Sequence, residues 1–224
     1  MKTNPLVTIK KRQKLFRSLT GITIEKFNEL LKQVTPLYEA AEAKRLFKSK
    51  KIRKQGGGRQ KDLDLPNQLL MLLMYYRIYV SQEFLGLIFG LHNCNVSRQL
   101  TYLQPQLAKI FRRPAQRVKL SEEELTEEQL LNIFILDATE QQIRRSKKQQ
   151  KKFYSGKKKK PKGKELTLEQ KQFNSKLSKQ RIKIEHTIGR MKVFQILSQR
   201  YRNDLAGHSL VFKNIAGLHN LMYA

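Results

Sequence analysis

Acidic residues are scarce in this chain: 18 Asp and Glu stand against 46 Lys and Arg, a formal charge of +28 over 224 residues. A surplus that large repels itself unless a polyanion compensates it, so nucleic acid is the leading partner. Cysteine is almost absent too. The lone Cys94 excludes an intramolecular disulfide, and an intracellular, cytoplasmic protein is expected. The four histidines, His92, His186, His208 and His219, are too scattered for a zinc site. No apolar run approaches the roughly 20 residues that span a bilayer, and no basic amphipathic helix ends in a bulky apolar face, so no membrane partner is expected. The start, MKTNPLVTIKKRQKLF, lacks the continuous apolar core of a signal peptide. What remains is an ordinary share of hydrophobic residues, 39 %, enough for one medium domain or two small ones.

The first fifty residues carry apolar positions at helical spacing in TIEKFNELLKQVTPLYEAAEAKRLF, with Thr23 as an N-cap and Pro36 expected to break or kink the segment. Residues 48–60, KSKKIRKQGGGRQ, read as a linker; without a preceding strand or a Lys-Ser/Thr ending they make a poor phosphate loop. The pattern is helical again from Leu65 to Leu103. TEEQ at Thr126 and TLEQ at Thr167 resemble capping boxes, the second before a long helix.

Within this organisation, SQEFLGLIFGLHNCNVSRQLTYL has the spacing of a helix-turn-helix. Ser81 is a candidate cap, Gly86 the small residue where two helices cross closely, and Gly90 the left-handed turn residue. Leu85, Leu91, Val96 and Leu100 supply the apolar contacts, which leaves Asn93, Asn95, Ser97, Arg98 and Gln99 facing outward. Those side chains suit base reading: Asn and Gln pair with adenine, Arg with guanine, Ser with phosphate or several acceptors. Paired short helices with a glycine turn also occur in proteins that touch no DNA. Cys94, between these polar residues, reads as a small buried hydrophobe.

Further on, LNIFILDATE is an apolar, β-branched run ending in Asp137, the pattern of a central strand that holds an acid at a sheet edge. Such an acid can ligate Mg²⁺ or Mn²⁺, or simply cap the next turn. Glu185, in LSKQRIKIEHTIGRMKVF, falls at the border of the stripe formed by Leu177, Ile184, Ile188 and Met191. From there it can face a site beside the sheet or pair with Arg181 one turn earlier. His186 reads as a packing or surface residue. The lysines after Asp137 read as a solvated loop suited to phosphate contact, or to a nuclear localisation signal in another kind of cell.

Taken in order, the blocks GGGRQKDLDLPNQLLMLLMYYRIYVSQEFLGLIFGLHNCNVSRQL, ILDATEQQIRRSKKQQKKFYSGKKKK, KGKELTLEQKQFNSKLSKQRIKIEHTIGRMKVFQILSQRYRN and SLVFKNIAGLHNL resemble bacterial insertion-sequence transposases of the DDE type, in the insertion sequence five group. The resemblance implies a mainly α fold with a small β part: an N-terminal helical region over 1–52, a helix-turn-helix DNA-binding domain over 53–115, a linker and short helix over 116–132, and a truncated ribonuclease H-like α/β domain over 133–224. It implies two Asp and one Glu binding two divalent ions, Mg²⁺ or Mn²⁺, which activate the attacking oxygen and neutralise charge on the transition state. Asp137 matches the first acid and Glu185 the last. Arg181 and Lys192 match basic positions of the final helix that face DNA phosphate, and Arg144, Arg145, Lys147, Lys148, Lys157, Lys158, Lys159 and Lys160 extend the expected DNA contact.

The middle acid of that pattern is missing. No aspartate lies between Asp137 and Glu185, and GKKKK runs directly into PKGKELTLEQ where the family continues through several strands. An in-frame deletion near Lys157 to Lys164, between lysine-coding repeats, is the expected origin. The expected function is binding of double-stranded DNA at the element's terminal inverted repeats, with cleavage and strand transfer defective. Such a remnant regulates or inhibits full-length transposase, as a homo-oligomer or in hetero-oligomers with it, at the bacterial nucleoid. A basic RNA-binding protein is the remaining class.

Overall fold

The computed structural model describes residues 4–48, 62–111 and 167–223. All elements among them are helical: α1 (Pro5–Lys10), α2 (Gln13–Thr20), α3 (Ile24–Lys48), α4 (Leu65–Ile78), α5 (Gln82–Phe89), α6 (Asn93–Ile110), α7 (Leu168–Met191), α8 (Gln195–Ser198), a 3-10 turn (Leu205–Gly207) and α9 (His208–Tyr223). The expected strand at 133–136, Asp137, the glycine linker and the lysine run lie outside the described residues.

Local chemistry sets most of the helix ends. Asn4 accepts from the Leu6 amide at 3.1 Å ahead of Pro5, whose missing N–H costs nothing in a first turn. Thr23 Oγ1 accepts from Lys26 N at 3.4 Å, as its place in the sequence predicts, and Asp64 Oδ1 accepts from Asn67 N at 3.2 Å to open α4. Glu25, in the first turn of α3, is held below the ordinary carboxylate range, chiefly by a backbone N–H and then by Thr23. At Pro36 the expected break does not occur: α3 runs on through it. Burial explains this, because Val34 and Tyr38 on either side are both in the core, and packing holds the helix where the proline removes one bond. Thr35, next to it, donates its hydroxyl to the Leu31 carbonyl at 2.8 Å.

At the centre lies α4, buried from Asn67 through Tyr76. Its sequence is apolar nearly all round because helices lie all round it, namely α1, α2, α3, α5, α6 and α8. The core is one continuous cluster. Phe16, Phe27 and Leu30 join it from the N-terminal helices, Leu85, Val96 and Leu103 from the middle, and Phe194, Ile196, Ile215 and Leu218 from the C-terminal helices. Buried polar groups fix the register between these parts. Asn67 Oδ1 accepts from Leu6 N at 3.1 Å, and Tyr38 Oη donates to Gln68 Oε1 at 3.2 Å. Asn214 Nδ2 donates to Tyr76 Oη at 2.9 Å and to the Gln104 carbonyl at 3.1 Å, which ties α9 to both α4 and α6.

Candidate nucleic-acid interface

The helix-turn-helix is α5, a turn, and α6. Ser81 Oγ accepts from Phe84 N at 3.2 Å, and Gly90 takes a left-handed conformation at φ 66° to end α5. Leu91 N then donates to the Gly86 carbonyl at 2.8 Å, closing the turn. Gly86 is needed, but for a neighbour other than the crossing helix: a Cβ there would sit 2.4 Å from the Leu91 carbonyl oxygen. The close approach is between α5 and its own turn. His92 caps α6 with Nδ1, which accepts from Cys94 N at 3.4 Å. Histidine is outside the usual N-cap set, so the sequence carried no signal for it.

The first turns of α6 are oriented by Val96, Leu100, Leu103 and Leu107, all buried. Opposite them the exposed residues are Cys94, Arg98 and Thr101, spaced three and four apart along one stripe. The expectation that five polar residues point outward is thereby corrected: of these, Arg98 is exposed, whereas Asn93, Asn95, Ser97 and Gln99 are half-buried on the two flanks. The reason is angular. Successive helical residues are about 100° apart, so Ser97 and Gln99 fall to either side of Arg98 and Asn93 further round, while Asn95, three residues before Arg98, stays beside it. Cys94 is corrected as well, from buried hydrophobe to exposed thiol. Arg98 Nη1 donates to Asn95 Oδ1 at 3.3 Å, which positions the guanidinium along the N-terminal half of α6. Asn93 Oδ1 and Gln99 Oε1 are buried without a hydrogen-bond partner.

The second group of expected residues lies on α7, opened after Thr167 with Lys171 N bonded to its carbonyl at 2.9 Å. Glu185 and His186 are exposed, and Ile188 and Met191 turn the far end of the helix into the core. Lys192 is exposed just past it, and Arg181 occupies the same helix one turn before Glu185. α7 packs on α9, and α9 packs on α6, so the two groups share a scaffold through an intermediary helix. Asp137, Arg144, Arg145, Lys147, Lys148 and Lys157 to Lys160 lie outside the described residues.

For a divalent metal the donor set is incomplete here. Among the described residues no three His, Cys, Asp or Glu side chains come together, and Glu185 is the one expected ligand that is described. The described residues alone therefore do not fit a two-metal centre. Nor, among them, is any helix long and apolar enough to cross a membrane.

Comparison with known families matches two separate spans. Residues 61–113 match the family described as the helix-turn-helix of DDE superfamily endonuclease, and residues 158–220 match the DDE superfamily endonuclease itself. The chain is also similar to the probable transposase for insertion sequence element IS702 of Microchaete diplosiphon, 26 % identical over 276 residues, which takes in 92 % of this chain and 93 % of that protein. Together these likenesses support a DDE-type insertion-sequence transposase. No solved structure matches it. Within that family the α5–turn–α6 unit is the DNA-binding part, and α7 to α9 fall in the endonuclease part that uses divalent ions in its relatives. Glu185 lies inside the matched endonuclease span, whereas Asp137 precedes it.

Proposed function

We propose that the chain binds the terminal inverted repeats of its insertion sequence through α6 and is defective in cleavage and strand transfer, so that it acts as a DNA-binding regulator of full-length transposase. The observation that carries the reading is a shortfall of chain. The similarity to the IS702 protein extends over 276 positions, yet 92 % of 224 residues is only about 206, so about 70 positions of the relative face no residue here. The absence of any aspartate between Asp137 and Glu185 agrees with a gap at the middle acid. Asp137 and Glu185 would then be two carboxylates of a three-carboxylate set, without the partner that fixes the spacing of two Mg²⁺ or Mn²⁺ ions. Arg181, Lys192 and the basic residues at 144, 145, 147, 148 and 157–160 contribute phosphate contact in this reading. Homo-oligomers, or mixed oligomers with the intact enzyme at the nucleoid, are how such a remnant would interfere.

On α6 the reading rests on Arg98, exposed and positioned by Asn95. Asn93 and Gln99 add to it: a buried amide oxygen with no partner costs about 1–3 kcal/mol, and rotation onto a base edge would recover that cost.

The test is a titration of the purified protein with a repeat-end duplex, a scrambled duplex and a structured RNA, in Mg²⁺ or Mn²⁺ at several salt concentrations. Selective binding of the repeat without nicking is expected. Arg98→Ala should lower the preference for the repeat by about 5- to 150-fold, the equivalent of about 1–3 kcal/mol. Equal losses on both duplexes would remove Arg98 from base reading. Nicking at the repeat end that disappears in Asp137→Ala would overturn the claim of defective chemistry, and preference for RNA would overturn the DNA reading.

A further inference from the structure

Among the stretches of the chain that carry no acid are residues 1–24, 65–82 and 186–203. The fold brings all three together at Arg77, near the end of α4. Its Nη1 donates to the Val193 carbonyl at 2.9 Å and its Nε to the Ser18 carbonyl at 3.3 Å, while the guanidinium lies 5.8 Å from the centroid of the Phe194 ring. Arg77 thus clamps the last turn of α2 to the segment that follows α7. The Ser18 carbonyl belongs to the last turn of α2, where the backbone dipole favours a cation, and the Val193 carbonyl to the turn between α7 and α8.

Around this clamp further cations converge. Arg17, exposed in the last turn of α2, is close enough to disfavour the charge on Arg77, adding to the larger effect of partial burial. Arg190, exposed in the last turn of α7, stacks at 5.5 Å on the ring of Tyr223, which is 62 % exposed. Tyr223 is itself within electrostatic reach of Arg77. Glu25, the acid nearest Arg17 in sequence, is bonded to its own helix start. Four helices therefore concentrate guanidinium groups and one phenol hydroxyl on a rigid clamp, a costly arrangement for a protein already at +28.

We propose that Arg17, Arg77, Arg190 and Tyr223 form a second duplex-DNA contact, carried by α2, α4, α7 and α9 rather than by α6, which grips backbone phosphates without reading bases. The exposed guanidinium groups of Arg17 and Arg190 suit this because their fixed fork of donors matches phosphate oxygens; Arg77, with Nε and Nη1 on its two carbonyls, adds charge and holds the site, and the tyrosine hydroxyl adds a further donor. No base edge is required. The proposal rests on the DNA-binding reading above and assigns the two surfaces different work: α6 discriminates and the clamp holds.

The experiment uses the full chain with the exposed pair replaced, Arg17→Gln with Arg190→Gln, leaving Arg77 and the core untouched. Affinity for repeat and scrambled duplexes is measured against salt. Each lost phosphate contact should flatten the log-log salt slope by about 0.9, so the double variant should lose about 1.8 in slope and bind about 30-fold more weakly at 0.15 M salt. Both duplexes should lose alike, so the preference between them stays as in the unmodified chain. An unchanged slope in a variant that still prefers the repeat would overturn the second contact and leave the α6 reading standing. A flattened slope in a chain with no preference for the repeat would do the reverse. Weakened RNA binding with unaltered duplex binding would also overturn the proposal.

Discussion

Replacing Gly86 by alanine sets two opposed effects against each other, and the structure says which wins. In a helix interior the change from glycine to alanine is favourable by about 1 kcal/mol. At Gly86, however, the new methyl would lie 2.4 Å from the Leu91 carbonyl oxygen and 3.5 Å from its carbon. These are backbone atoms, and the Leu91 amide is bonded back to Gly86, so relief requires the whole turn to move. Overpacking of this kind costs about 1–3 kcal/mol, and more where the obstacle cannot rotate away. The expected net is a loss of about 1–2 kcal/mol, read as a fall in Tm of about 2–8 °C for a chain of this size. Gly189 supplies the control, since on α7 a Cβ there meets nothing within 4 Å. Gly189→Ala should raise stability by about 0.5–1 kcal/mol. Urea titrations of both variants, with m-values matching the parent, would measure the difference. A stabilised Gly86→Ala would refute the claim that the turn is closed against α5.

Alkaline stability should depend on the tyrosines around α4. Burial pushes the Tyr75 hydroxyl up to about 12, and it pushes the fully buried Tyr76 well above its ordinary 10. Above pH 10 the unfolded chain gives up these protons while the folded chain keeps them, so this contribution is whole below pH 10 and is lost as pH rises towards the folded-state values. Tyr76→Phe should remove up to about 1.4 kcal/mol per pH unit from the decline above pH 10, checked by urea melts at pH 9 to 11; parallel curves for parent and variant would contradict the burial. Cys94 should react with a thiol reagent in the native protein without denaturant, because it is exposed. Bound repeat duplex should slow that reaction if α6 faces DNA, as followed by mass spectrometry.

What the sequence made legible was local. Ser81, Gly90 and Thr23 were found because a cap or a left-handed turn is decided by its own few residues. The apolar circumference of α4 announced burial without naming what surrounds it. What surrounds it was not legible, since Phe194, Ile215 and Leu218 reach it from more than a hundred residues away, and no spacing rule links Asn214 to Tyr76. The errors have the same origin. A break at Pro36 followed from local propensity, which the burial of Val34 and Tyr38 overrode. The outward set on α6 was chosen by residue type, while helical angle leaves Cys94, Arg98 and Thr101 at the centre of the exposed stripe. Arg77 gave no signal, because one arginine at the end of an apolar helix acquires meaning only from the distant helix end and turn that meet it.

The bond from Asn214 to Tyr76 also has a consequence in time. It spans 138 residues of sequence, and the bond from Lys26 to the Leu221 carbonyl spans 195. At roughly 5–20 residues per second, a nascent chain that has just completed α4 waits some 7–28 s before α9 is synthesised. Throughout that interval the central helix, buried from Asn67 through Tyr76, lacks part of its cover, and contacts this distant make for slow closure even afterwards. The helix-turn-helix is therefore completed by a helix made long after it, and a ribosome that stops short of α9 releases a chain whose central helix still has an open side.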